Sequence, residues 1–110
     1  MERLVLVDPR SRRWDLEVPR TRRERARGLL GRDGIGPGSG MLFQGARSVH
    51  TVGMRFPITV AFLDASMRVT AVRRMRPGRV AFRLRGARHV LECGDGQDLR
   101  MGDQLVPAGP

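Results

Sequence analysis

Residues 58–64 read Ile58-Thr59-Val60-Ala61-Phe62-Leu63-Asp64. The large side chains at 58, 60 and 62 alternate with smaller neighbours at the two-residue period of a β-strand. Asp64-Ala65-Ser66-Met67 has turn chemistry, and an apolar pattern resumes over Val69 to Val72. The spacing therefore predicts an antiparallel hairpin over residues 58–75, stopped by Pro77 and Gly78. Upstream, Met41, Leu42 and Phe43 open a further extended segment.

Working outward, Leu4 to Val7 form a short apolar run closed by Asp8-Pro9, and Trp14, Leu16 and Val18 alternate with Asp15 and Glu17. That pattern predicts an opening hairpin with Trp14, Leu16 and Val18 on its inner face. Past residue 78, Val80, Phe82 and Leu84 alternate with Arg83 and Arg85, and His89 to Cys93 follows the Gly86 turn. Each reads as a short strand. The tail has room for one helical turn near Gln97 to Leu99 and a last strand at Gln104 to Val106.

One segment has helical signals. In Thr21-Arg22-Arg23-Glu24 the hydroxyl of Thr21 can accept from the Glu24 amide while the Glu24 carboxylate returns to the Thr21 amide, which is a capping box. Ala26, Leu29 and Leu30 then share a side at spacings of three and four, predicting an amphipathic helix over about 21–30 that Gly31 ends. The following run, GRDGIGPGSG over residues 31–40, predicts a surface loop. It lacks the strand before it and the spacing of a phosphate-binding fingerprint. The fold class expected is α+β: a compact, mainly antiparallel β-sheet or partly open barrel, with one short amphipathic helix and at most one further helical turn.

The chain has 110 residues, enough for one domain, and we expect a single domain over 1–110. No apolar run approaches the roughly 18–20 residues of a membrane span, so no membrane partner is expected and the location expected is cytoplasmic. Cys93 is the one cysteine, which excludes an intramolecular disulfide. The formal charge is +10, and all 21 basic residues are arginine. Such a charge suits a nucleic-acid backbone, but the arginines are spread from Arg3 to Arg100 and interleaved with acids. The complete absence of lysine also points to a GC-rich coding sequence, so nucleic acid is the less favoured partner.

Arg27-Gly28-Leu29-Leu30, Gly40-Met41-Leu42-Phe43, His50-Thr51 with Met54 and Pro57, and Phe62-Leu63-Asp64 occur in an order that resembles a known family, domain of unknown function 192. The resemblance extends through Val90-Leu91-Glu92 and Gly102-Asp103, covering about residues 14–106. It implies a compact, mainly antiparallel β domain with one or two short helices, and it brings no mechanism or cofactor. Departures from the commoner family pattern are the run Val52-Gly53-Met54-Arg55-Phe56, Thr59 at a position often acidic, and a short connection between Glu92 and Gly102.

His50 is the first candidate for function, because imidazole titrates near neutral pH and lies in a polar patch with Ser48, Thr51 and Arg55. Arg25, Arg27 and Arg55 could bind a carboxylate or phosphate through guanidinium forks. His50, Thr51, Arg55, Arg27 and Arg25 are thus the expected ligand-binding residues. No close-spaced Cys or His pair nucleates a metal site, and no metal or cofactor is expected. His89, Leu91 and Cys93 should share one face of their strand, with Val90 and Glu92 on the other. The leading expectation is a non-enzymatic binding or accessory domain that engages a small anionic ligand or a protein partner. Its rivals are a small hydrolase-like enzyme using a histidine with Cys93 or Glu92, and arginine-mediated nucleic-acid binding.

Overall fold

The computed structural model describes residues 1–46, 48–81 and 85–109. Its main element is a curled seven-stranded sheet forming an open half-barrel. The strands in chain order are β1 (Glu2–Val7), β2 (Arg13–Val18), β3 (Ser39–Gln44), β4 (Val49–His50), β5 (Ile58–Leu63), β6 (Val69–Met75), β7 (Val80–Ala81), β8 (His89–Gly94) and β9 (Val106–Pro107). The large sheet runs β6-β5-β8-β3-β2-β1-β9, and β4 pairs separately with β7.

The two hairpins predicted from alternation are present. β1 and β2 pair antiparallel with Leu4 opposite Leu16 and Leu6 opposite Trp14, and the side chains of Trp14, Leu16 and Val18 are buried. β5 and β6 pair antiparallel from Ile58–Met75 to Leu63–Val69. Their turn is closed by Asp64, whose carboxylate accepts from the amides of Ser66 and Arg68 and from the Ser66 hydroxyl. β5 lies between β6 and β8, and all six of its residues are buried. This follows from two covered faces. Leu16, Ala61, Leu63 and Leu91 pack in one apolar cluster, while Met41, Ile58, Val60 and Phe62 pack in a second.

The sheet is antiparallel except where β2 meets β3. Asp15 pairs with Ser39 and Glu17 with Met41 in parallel register, so the connection over residues 19–38 must cross one face of the sheet and return. That crossover carries the helix, α1 (Arg22–Arg27). Both halves of the capping box at Thr21 and Glu24 are formed. The helix is shorter than the 21–30 expected, because Gly28 takes φ +47° and its amide bonds to the Glu24 carbonyl. The amphipathic reading is corrected too. No residue of α1 is buried and Ala26 is exposed, whereas Leu29 enters the core only after the helix has ended.

The last strand lies at Val106–Pro107 rather than Gln104 to Val106, since Gln104 is held in an isolated bridge to Arg68. The loop expected over residues 31–40 is shorter, as Ser39 and Gly40 already belong to β3. β7 bears out the start of the strand expected at Val80, and the expectation for Phe82 and Leu84 lies outside the described residues. Among the described residues no helix is long and apolar enough to cross a membrane.

Candidate functional site

The crossover does not seal the face it covers. It leaves a cavity of about 300 Å³ between α1 with its exit, the segment around β4, and the sheet. Arg25, Arg27 and Gly28 form one wall, Ser48 and His50 another, and Phe43, Val90 and Glu92 the floor. The floor follows from strand parity. Phe43 pairs with Val90, and two residues along Met41 pairs with Glu92, so Phe43, Val90 and Glu92 share the face of the second apolar cluster.

Glu92 is the chemically unusual member. It sits in mid-strand between Met41 of β3 and Val60 of β5 and is only 6% exposed. Among the described residues its carboxyl makes no ion pair or hydrogen bond, but it lines the cavity and is not sealed off: the fully buried side-chain polar atom left without a partner is Arg10 Nε. Burial in these apolar surroundings pushes its pKa up to about 7. A carboxyl of this kind is poised to titrate near neutral pH while opening onto a cavity.

The structure brings three of the expected site residues to this cavity. Arg25 is half-buried; its guanidinium donates to the Gln44 carbonyl at 3.0 Å and lies over the Phe43 ring at 6.0 Å. Arg27 is exposed at the rim. His50 is exposed and held by the pairing of β4 with β7, opposite Val80.

The other two stand elsewhere. Thr51 is fully buried, and its hydroxyl donates to the Arg76 carbonyl at 2.5 Å and accepts from the Arg79 amide at 2.9 Å. Its hydrogen-bonding capacity is spent on fastening the 76–79 turn. Arg55 points to solvent and pairs with the exposed Asp33 at 2.9 Å. Neither lines the cavity. Sequence reading did not place Glu92 in the lining of a cavity, although one signal was present: an acid at an inward position of an apolar strand.

Of the residues named for hydrolytic chemistry, His89 and Cys93 lie on the opposite face of β8 from Glu92. His89 lies on the Leu91 and Cys93 side, and its Nδ1 accepts from the Gly45 amide at 3.0 Å. Burial, aided by the Arg88 charge, holds its pKa below the usual value. Cys93 is fully buried, and burial pushes its thiol up to about 12, which leaves no thiolate for nucleophilic attack near neutral pH. His50 and Glu92 share the cavity. Among the described residues no three His, Cys, Asp or Glu side chains converge as a metal site would need.

A second depression, about 550 Å³ and open, lies beside the end of β6 and is lined by Arg73, Arg74, Arg76 and Arg79. Arg74 is engaged by Asp95 at 2.8 Å.

Comparison with known proteins places this architecture. A crystal structure of a protein from Sinorhizobium meliloti 1021, put forward as a transcription regulator, superposes with a TM-score of 0.79 at 22% identity, covering 96% of this chain and 92% of that one. A protein of unknown function from Novosphingobium aromaticivorans DSM 12444 gives 0.77 at 20% identity, covering 94% and 83%. At such identities the likeness is one of fold. A search of curated proteins gives no match. The model of the DUF192 family, described as Uncharacterized ACR, COG1430, matches residues 5–105, nearly the whole chain from β1 to the approach to β9. The chain belongs to the DUF192 family.

Proposed function

We propose that this protein is a small-ligand binding domain whose site is the cavity beneath the crossover, with Arg25, Arg27 and His50 receiving an anionic group. The observation that carries the reading is Glu92: an acid 6% exposed and unpaired among the described residues is costly to keep unless its site has a use. A volume of about 300 Å³ is at the low end of ligand pockets, roughly 300–1,000 Å³, which suits a metabolite-sized molecule. In this reading Thr51 acts from behind, fixing the turn that packs against β4, and Arg55 is a solvated ion-pair partner.

The test is a thermal-shift and calorimetric screen of inorganic phosphate and small carboxylates. Wild type is compared with an Arg25→Ala, Arg27→Ala double variant and with His50→Ala. At least one anion is expected to raise the wild-type midpoint and to lose that effect in the double variant. Equal shifts in both proteins would remove the cavity from consideration.

A second reading draws on the groove formed by Arg73, Arg74, Arg76 and Arg79, whose guanidinium groups suit a nucleic-acid backbone. The S. meliloti protein of similar fold is put forward as a transcription regulator, which is in keeping with it. Binding of a random-sequence duplex should then weaken steeply with salt. Weak, salt-insensitive binding would sink this alternative.

A further inference from the structure

We infer that the ligand of this cavity is a zwitterion of amino-acid type, with its ammonium on Glu92, its carboxylate on Arg25 and Arg27, and an apolar body between them. The inference rests on the anion-binding reading above and goes beyond it by assigning the floor of the site.

The placement of charge carries the argument. Arg25 is held over Phe43, and Phe43 is the register partner of Val90. Glu92 lies two residues along the same strand, a step of roughly 7 Å. Arg25 on the wall and Glu92 in the floor therefore present a cation and an acid to one and the same cavity of about 300 Å³. An ammonium and a carboxylate on the same carbon skeleton, each making a charge-assisted hydrogen bond of about 2.8 Å, would engage the two groups together. A simple anion would satisfy only the guanidinium side and leave the Glu92 carboxyl, which lines the same cavity, unmatched by the ligand.

The remaining lining agrees. Leu29, Leu30, Val49, Met54 and Val90 supply the apolar contacts that an aliphatic side chain would fill. Arg25 keeps donors beyond the one given to Gln44, and Arg27 has no carboxylate within ion-pair distance among the described residues. The charged and titratable groups facing Glu92 across the cavity are thus Arg25 and Arg27 of the crossover and His50 of β4. Closing an ammonium against Glu92 requires the carboxylate form, so binding below neutral pH releases a proton.

A matched set of probes tests this: leucine, 4-methylpentanoate, which lacks the amine, and 3-methylbutylamine, which lacks the carboxylate. Each is titrated calorimetrically at pH 6 into wild type, Glu92→Gln and the Arg25→Ala, Arg27→Ala double variant, in two buffers of different ionisation enthalpy. Leucine is expected to bind wild type roughly ten- to a hundredfold tighter than either truncated probe, with a buffer-dependent heat that reports proton release. Glu92→Gln should bind leucine no better than 4-methylpentanoate while leaving the latter's affinity unchanged.

If 4-methylpentanoate matches leucine in both wild type and Glu92→Gln, the zwitterion assignment fails and the anion site stands. If 3-methylbutylamine matches leucine and the arginine substitutions change nothing, the anion site fails as well. Binding of none of the three, alongside a blank anion screen, overturns both.

Discussion

Arg10 and Asp103, 93 residues apart, meet in a two-pronged ion pair with nitrogen–oxygen distances of 3.1 and 2.5 Å. Asp103 also accepts from the Arg100 amide. Nearby, the buried Asp8 accepts from the Trp14 indole N–H and from the amides of Arg10 and Arg12. The β1–β2 turn and the C-terminal tail are thereby locked together.

Acid should open this lock. The Arg10 hydrogen bonds, against the effect of burial, hold Asp103 below the usual carboxylate range. For Asp8, burial acts upward, but the Trp14, Arg12 and Arg10 donors outweigh it and its pKa is also lowered. Both groups are ionised in the fold at pH values where the unfolded chain has begun to bind protons. Their stabilisation is therefore complete above the unfolded value of about 3.9 and is lost as pH falls through the folded values. Asp103→Asn should lower the thermal midpoint by several degrees at pH 7, and the gap from wild type should narrow on acidification. A constant gap across pH would count against the pair.

Glu92 behaves in the opposite sense. Its carboxyl stays protonated in the fold up to about 7, against 4.5 for the free group. Between those values the native state holds the extra proton, so stability declines as pH rises through the window and levels off above it. At about 1.4 kcal/mol per unit the decline amounts to roughly 3 kcal/mol. Glu92→Gln, uncharged throughout, should match wild type near pH 4 and exceed it by up to about 3 kcal/mol at pH 8 in urea unfolding. Parallel pH profiles would show that the carboxyl is not desolvated.

Gly40 marks a close approach of β3 to its neighbours. A Cβ there would lie 2.6 Å from the Glu92 carbonyl oxygen and 3.2 Å from Leu16 Cδ2. Gly40→Ala is expected to cost about 1–3 kcal/mol through overpacking, whereas Gly34→Ala, with nothing within 4 Å, should be near neutral. Chemical denaturation of the two variants makes the comparison.

Thr51→Val preserves shape but deletes the hydroxyl that joins the Arg76 carbonyl and the Arg79 amide. Leaving such groups without partners costs about 1–3 kcal/mol. Urea unfolding should register that loss, Thr51→Ser should restore most of it, and the Arg79 amide should exchange faster in the valine variant. Unchanged exchange would show that the turn is held by other contacts.

Features that depend on neighbouring residues were legible in the sequence. Alternation at Trp14, Leu16 and Val18 gave the buried face of β2, and Thr21 with Glu24 gave the helix start. The helix end was misplaced because Ala26, Leu29 and Leu30 have helical spacing, while the chain turns away at Gly28 for reasons of backbone geometry. Features that depend on distant partners were not legible. The parallel pairing of β2 with β3, the use of Thr51 by the 76–79 turn and the meeting of Arg10 with Asp103 arise only when separate segments pack. The site divided in the same way. Arg25, Arg27 and His50 were visible as polar residues in suggestive company, but the burial of Glu92 is conferred by β3 and β5 on either side of it.

The parallel pairing of β2 with β3 has a further consequence. Because the chain must leave after Val18 and rejoin at Ser39, one wall of the cavity is an excursion whose helix buries no residue. The acid of the floor belongs to the sheet and is bound to its register, while Arg25 and Arg27 belong to a graft laid over it. A change in the charges or the length of that excursion would reshape the wall of the cavity without disturbing a single strand pair.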